Sequence, residues 1–140
     1  MTTLLIPVDG SPHSLRAIER ALAFKQQDQW TDLVLLSVAP LLLGRTRGFF
    51  TTAQLNMLYE RQTQEMQREA KVMLDKANQP YNAMVVPGNT VDTILTVADE
   101  VGAAQIYIGT RGHGAAASLL LGSVANRVAS LSSVPVTLVN

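Results

Sequence analysis

The chain has 140 residues, the size of one domain, which is predicted to span residues 1–140. It contains no cysteine, and this absence excludes disulfides, thiolate metal sites and cysteine nucleophiles. Its 11 basic and 11 acidic residues cancel, which argues against nucleic acid or an anionic membrane as a partner. The N-terminal residues lack the pattern of a signal peptide, and the most apolar stretch, residues 33–44, is shorter than the roughly 20 residues of a membrane helix, so we expect a cytoplasmic protein.

Five short apolar runs predict the strands of a parallel sheet. They cover residues 4–8, 33–38, 83–86, 106–108 and 134–139. Nearly continuous apolar runs are typical of strands that are buried on both faces of such a sheet. Each run except the last is followed by a helical pattern, and right-handed crossovers place these helices on both faces of the sheet. The sequence therefore predicts an α/β fold.

Four helical patterns lie between these runs. Ser11 is the predicted N-cap of the first helix, and the second helix is predicted over residues 51–78. The third begins after Thr90 and ends near Gly102, and the fourth begins at Ser123. On the second and fourth helices, the side chains that we expect to be buried are Leu55, Leu58, Tyr59, Met66, Met73, Leu74, Val124, Val128 and Leu131.

The densest glycine cluster, residues 109–114, directly follows the fourth predicted strand. In an open α/β sheet, ligands bind beyond the carboxyl ends of the strands. Glycines let a backbone approach a ligand closely, and a helix N-terminus adds unpaired N–H donors. Gly112, together with Gly122 and Ser123 at the start of the last helix, is therefore predicted to hold an anion from two sides. A phosphate chain is the obvious candidate.

Three residues near these strand ends have structural roles as alternatives to ligand binding. Asp9 follows the first strand, where it can stabilise the turn into the first helix, bind a ligand, or do both. Ser123 is a good N-cap with or without a phosphate. Arg111 lies between two glycines of the cluster, and we interpret it as a phosphate contact rather than as a solvated charge.

Other nucleotide-dependent activities fit the sequence less well. The P-loop pattern is absent and the glycine cluster contains no lysine, which argues against a fast ATPase and leaves slow turnover open. A dinucleotide-binding dehydrogenase would carry its glycines after the first strand, not after the fourth. A phosphoacceptor signalling domain would need an aspartate after the third strand, where Val86 and Pro87 stand.

The glycine spacing resembles the nucleotide motif of the universal stress protein family. That motif is a glycine, two residues, a glycine, nine residues, and a glycine followed by serine or threonine, which here are Gly109, Gly112, Gly122 and Ser123. Residues 6–11, Gly88 and residues 135–139 extend the resemblance over the whole chain. It implies an open five-stranded parallel sheet in the order 3-2-1-4-5 with four helices on its two faces. This is a Rossmann-like fold of the adenine nucleotide alpha hydrolase type.

The resemblance to the ATP-binding branch of this family also implies a site. Pro7 and Ile108 would line an adenine pocket, the backbone of Val38 would meet the adenine edge, and Asp9 would bind the ribose hydroxyls. Ribose and phosphates would be held by Gly109, Arg111, Gly112, Gly122, Ser123 and Val124. A Mg or Mn ion on the phosphates is implied as well, although no cluster of carboxylates marks a metal site.

The function implied is that of an ATP-binding, nucleotide-dependent stress-response module. The alternative is a protein-interaction module of the same fold that needs no nucleotide, and a protein partner stays open in either case. The last strand would leave an apolar sheet edge uncovered, and such edges invite pairing. Because family members commonly dimerise through this strand, the resemblance implies a homodimer joined along residues 136–139.

Overall fold

The computed structural model describes residues 2–27, 31–39, 48, 50–111 and 122–140. Within these residues, five strands alternate with four helices in the order β1 (Thr2–Pro7), α1 (Pro12–Gln27), β2 (Thr31–Ala39), α2 (Thr52–Lys76), β3 (Asn82–Pro87), α3 (Thr90–Glu100), β4 (Gln105–Gly109), α4 (Ser123–Leu131) and β5 (Val136–Val139). The strands pair in parallel in the order β3-β2-β1-β4-β5, which confirms the predicted fold.

The core consists of two layers of apolar side chains, one on each face of the sheet. Leu4 and Ile6 of β1 pack with α1 and α2, whereas Leu5 packs with α3 and α4 on the opposite face. All three side chains are fully buried. Complete burial of such a side chain contributes about 1.5–3 kcal/mol, so the central strand is a large source of stability. It also gives the turn that follows β1 a rigid base.

Strand β3 is less buried than predicted. Its apolar run predicted burial on both faces, but within the described residues β3 pairs with β2 alone, at the edge that the predicted strand order gives it. Met84 and Val86 pack partly against the α3 and α4 layer, while Val85 on the other face is 43% exposed. An edge strand has a neighbour on one side only, so helix α2 covers its outer part incompletely.

The buried face of α2 was predicted only in part, because Leu74 is buried as expected and the other expected residues are not. Its buried residues are Thr63, Gln67, Ala70 and Leu74, whereas Leu58 is exposed. With 25 residues, α2 is about 37 Å long at 1.5 Å per residue, so it extends beyond the sheet and packs mainly through its second half. Gln67 tolerates burial because its Nε2 donates to the Met84 carbonyl at 3.0 Å.

The start of α1 and the end of α3 follow the sequence signals, whereas the C-terminal elements α4 and β5 differ from the prediction. The Ser11 hydroxyl accepts from the Ser14 N–H at 3.3 Å, which confirms Ser11 as the N-cap of α1. Gly102 ends α3 with a φ of +64°, the left-handed conformation that favours glycine. The last strand begins at Val136 rather than at residue 134, and Leu131 of α4 is exposed, not buried. Among the described residues, no helix combines the length and apolarity needed to cross a membrane.

Candidate functional site

A cavity of about 640 Å³ lies where the carboxyl ends of β1 and β4 meet. β1 has β2 on one side and β4 on the other, so the chain leaves these neighbouring strands in opposite directions and opens a crevice between them. Nine of the ten predicted site residues line the cavity, and the tenth, Gly112, lies outside the described residues. The nine are Pro7, Asp9, Val38, Ile108, Gly109, Arg111, Gly122, Ser123 and Val124.

One part of the cavity wall is apolar. Val38 at the end of β2 and Ile108 in β4 are buried, and they line the cavity together with Pro7. Apolar walls with a few polar groups are typical of small-molecule sites, whose volumes are about 300–1,000 Å³. Ten further described residues that line the cavity were not predicted, among them Gln62 and Met66 of α2 and Thr90 of α3.

The turn between β1 and α1 places a carboxylate at the cavity. Asp9 Oδ1 accepts from the Ser11 N–H at 2.8 Å, and Gly10 between them has a φ of +84°. This is the turn-stabilising role of Asp9 that the sequence left open. Asp9 also lines the cavity and is only half-buried, so this turn presents its carboxylate to a ligand as well.

The two motif glycines within the described residues are required by packing between backbone segments. A Cβ atom at position 109 would lie 2.6 Å from the backbone carbon of His13, in the first turn of α1. At position 122 it would lie 2.8 Å from the Thr110 carbonyl oxygen. Both contacts are shorter than a Cβ atom tolerates, so each glycine lets a helix start directly against the end of β4.

Helix α4 begins at Ser123, as predicted, but its N-cap is Gly122 and the interpretation of Ser123 as the cap is wrong. The Gly122 N–H donates to the Thr110 carbonyl at 2.7 Å, which sets the start of the helix one residue earlier than the serine signal suggested. A glycine cap has no side chain to accept from the N–H groups of the first turn. Those donors, at the positive end of the helix dipole, are therefore available to another acceptor.

Arg111 brings a cation to the same end of the cavity. Its side chain is half-buried, and its Nε atom is buried without a hydrogen-bond partner. Within the described part of the chain Arg111 makes no ion pair, and Asp9 is the sole carboxylate that lines the cavity. A partly desolvated guanidinium without an anion favours a ligand that carries negative charge. We call Arg111, Gly122, Ser123 and Val124 the phosphate end of the cavity.

Comparison with known proteins gives one consistent result. The model of the universal stress protein family matches residues 1–140. A universal stress protein of Thermus aquaticus is 33% identical over 137 residues, which are 98% of this chain and 97% of that protein. The solved structure of the protein MJ0577 superposes with a TM-score of 0.83 at 26% identity, covering 99% of this chain and 94% of that one. A universal stress protein in complex with cAMP superposes with a TM-score of 0.74 at 26% identity, covering 99% and 97%.

Proposed function

The chain belongs to the universal stress protein family, and on that basis we propose that it binds an adenine nucleotide, with ATP as the expected ligand, as a nucleotide-dependent stress-response module. The observation that carries the proposal is Arg111, which has no ion-pair partner among the described residues, beside the start of α4, which has no side-chain cap. Both lie at one end of a cavity that also has an apolar wall. A nucleotide has an apolar base that matches the apolar wall and an anionic phosphate chain that matches the phosphate end of the cavity. The similarity to a family member in complex with cAMP supports the same ligand class.

In the proposed complex, Pro7, Val38 and Ile108 contact the base, and Asp9 accepts hydrogen bonds from the ribose hydroxyls. The phosphate end of the cavity, together with Gly112, then holds the phosphates. A hydrogen bond to a charged group contributes about 1.5–3 kcal/mol. Three or four of them, with the burial of the base, are sufficient for micromolar binding after the costs of association, because micromolar affinity corresponds to about 8 kcal/mol.

A divalent ion fits this site only as a companion of the phosphates. Among the described residues, no group of three or more histidine, aspartate or glutamate side chains is arranged to hold a metal. The carboxylate of Asp9 and the hydroxyl of Ser123 are two of the oxygen ligands that line the cavity. Mg²⁺ commonly keeps several waters and binds through one carboxylate plus substrate phosphates, and Mn²⁺ also favours oxygen ligands. Either ion would neutralise phosphate charge beside Arg111.

Binding, rather than rapid turnover, is the activity that we propose. Fast phosphoryl transfer needs groups that position the attacking water and neutralise the transferred phosphoryl group. In the described part of the cavity the single carboxylate, Asp9, already accepts from the Ser11 N–H. The alternative is a protein-interaction module that needs no nucleotide. It gives no reason for an arginine without an ion-pair partner among the described residues at a cavity of nucleotide size.

Calorimetric titration with ATP and magnesium tests the proposal. We expect Ser123→Glu to weaken binding by at least tenfold relative to wild type, because its carboxylate would stand among the phosphates at the start of α4. An acidic residue in the first turn also stabilises a helix by about 0.3–1 kcal/mol, so the variant should fold at least as well as wild type. Ser123→Gln, which has the same size and no charge, is the matched control and should lose less affinity.

The wild-type titration separates the two functions. If folded wild-type protein did not bind ATP, the nucleotide-independent interaction module would replace this proposal. If Ser123→Glu and Ser123→Gln lost equal affinity, the phosphates would not lie at the start of α4. A large residue at position 122 would be a poorer test, because any Cβ atom there meets the Thr110 carbonyl.

We further propose that two copies of the chain pair through β5. In the described structure β5 pairs with β4 alone, and Leu138 is 40% exposed. The carbonyls of Pro135 and Val139 accept from β4, and successive peptide groups of a strand alternate in direction, so the N–H of Leu138 points to the free edge.

Light scattering after size exclusion tests this dimer. We expect Leu138→Pro to yield a monomer at micromolar concentration, because proline removes an N–H donor from the free edge and leaves the β4 pairing intact. Leu138→Ala, which keeps the N–H, should remain largely dimeric. A monomeric wild type would contradict the proposal.

A further inference from the structure

Thr110, the residue after β4, connects three elements that no other described residue of the cavity joins. It is only 7% exposed. Its N–H donates to the Val139 carbonyl at 2.9 Å, and its carbonyl accepts from the Gly122 N–H at 2.7 Å. Its hydroxyl donates to the Asn140 Oδ1 atom at 3.1 Å. The β4 end, the start of α4 and the end of β5 therefore meet at one residue.

The Thr110–Arg111 peptide, which carries the Thr110 carbonyl, sets the position of the phosphate end of the cavity. The Gly122 N–H donates to the Thr110 carbonyl, and the two backbone segments are so close that a Cβ atom at position 122 would not fit. Arg111 follows Thr110 directly, so a rotation of this peptide would move both the arginine backbone and the start of α4. Electrostatic binding groups act strongly only when they are held in place before the ligand arrives.

We propose that Thr110 and Asn140 form a positioning pair, in which their hydrogen bond fixes the Thr110 peptide and thereby the phosphate end of the cavity. Asn140 is exposed and does not line the cavity, so it acts on the ligand only through Thr110. The inference rests on the proposed binding of a nucleotide and adds two residues that the glycine motif does not explain. The pair stabilises the phosphates and has no contact with the base.

A double-mutant cycle tests the pair. Thr110→Val keeps the shape of the side chain and removes the hydroxyl, and Asn140→Ala removes the acceptor. We expect each variant to weaken ATP binding about fivefold, the size of one ordinary hydrogen bond. The double variant should bind like either single variant, because both changes remove the same interaction. Affinity for adenosine, measured by competition, should stay within about twofold, since adenosine lacks the phosphates.

Thr110→Ser is the matched rescue variant, because it restores the hydroxyl and should recover most of the ATP affinity. A purely structural role would lower ATP and adenosine affinity equally, and that result would overturn the proposal. Additive losses in the double variant, or unchanged ATP affinity in Thr110→Val, would also overturn it. If wild type itself bound no ATP, the proposed function would fail and this inference with it. If wild type bound ATP and the variants gave any one of these three contradicting results, only the positioning pair would be overturned and the proposed function would stand.

Discussion

We expect Arg111→Gln to weaken ATP binding by roughly 10- to 100-fold, which corresponds to the loss of one charge-assisted hydrogen bond worth about 1.5–3 kcal/mol. In the described structure the Arg111 side chain is half-buried, makes no ion pair and has a buried Nε without a partner. Among the described residues nothing compensates the desolvation of this cation, and we expect the phosphates of the ligand to do so. Calorimetric titration of both proteins with ATP gives the ratio.

The control for this prediction is Arg127→Gln. Arg127 is an exposed arginine of α4 that does not line the cavity, so its loss removes the same charge from the protein and should change ATP affinity less than about twofold. Affinity for adenosine should be nearly the same in all three proteins. Equal effects of the two substitutions would show that Arg111 acts through overall charge, and no effect of either would contradict a phosphate contact.

The same substitution should raise the thermal stability of the nucleotide-free protein or leave it unchanged. A shorter, neutral amide is cheaper to hold half-buried than a guanidinium without an ion-pair partner. A lower melting temperature of the free variant would mean that Arg111 has a structural partner in the free protein, and the loss of ATP affinity could then be indirect. Differential scanning calorimetry without nucleotide makes this distinction.

The strands and the position of the cavity followed from local signals, whereas the strand order was implied by the resemblance to the universal stress protein family. The apolar runs are short and uniform, and the glycine spacing after β4 has one counterpart in the universal stress protein motif. With the order 3-2-1-4-5, Asp9 and Gly109 must lie at neighbouring strand ends, whatever the details of the helices. The predicted lining residues therefore come together without any knowledge of side-chain packing.

The α2 helix shows what the sequence could not predict. Its apolar residues lie on more than one side, so their pattern does not say which face meets the sheet. Gln67 is buried because the Met84 carbonyl lies within reach, and that contact depends on the distance between α2 and β3. For the same reason Gln62 and Met66 were missed as cavity residues, since a polar and an apolar side chain one turn apart carry no signal of their own.

Ser123 and the motif glycines were misjudged in a related way. A serine before an apolar turn is a good N-cap signal, but the hydrogen bond from Gly122 to Thr110 sets the cap one residue earlier. The glycines were interpreted as sites where a ligand approaches the backbone. In the structure, Gly109 and Gly122 are already required by approaches between the protein's own segments. The two explanations make different predictions about the protein without nucleotide.

Gly109→Ala separates them. We expect it to destabilise the nucleotide-free protein by about 3 kcal/mol, the upper part of the usual range for an overpacked site. The added methyl group would stand 2.6 Å from the backbone carbon and 2.8 Å from the carbonyl oxygen of His13, neither of which can move as a side-chain end can. The melting temperature should fall by on the order of 10 °C for a chain of this size.

Gly48→Ala is the matched control, because a Cβ atom at position 48 meets nothing within 4 Å. Its melting temperature should stay within about 2 °C of wild type. ATP affinity of Gly109→Ala should also fall, since a displaced first turn of α1 takes Ser11 with it, and Ser11 donates the hydrogen bond that orients Asp9. If the variant bound ATP poorly and melted like wild type, Gly109 would serve the ligand rather than the fold. If Gly109→Ala instead lost the expected stability in the absence of nucleotide, the first role of Gly109 would be the contact between α1 and β4.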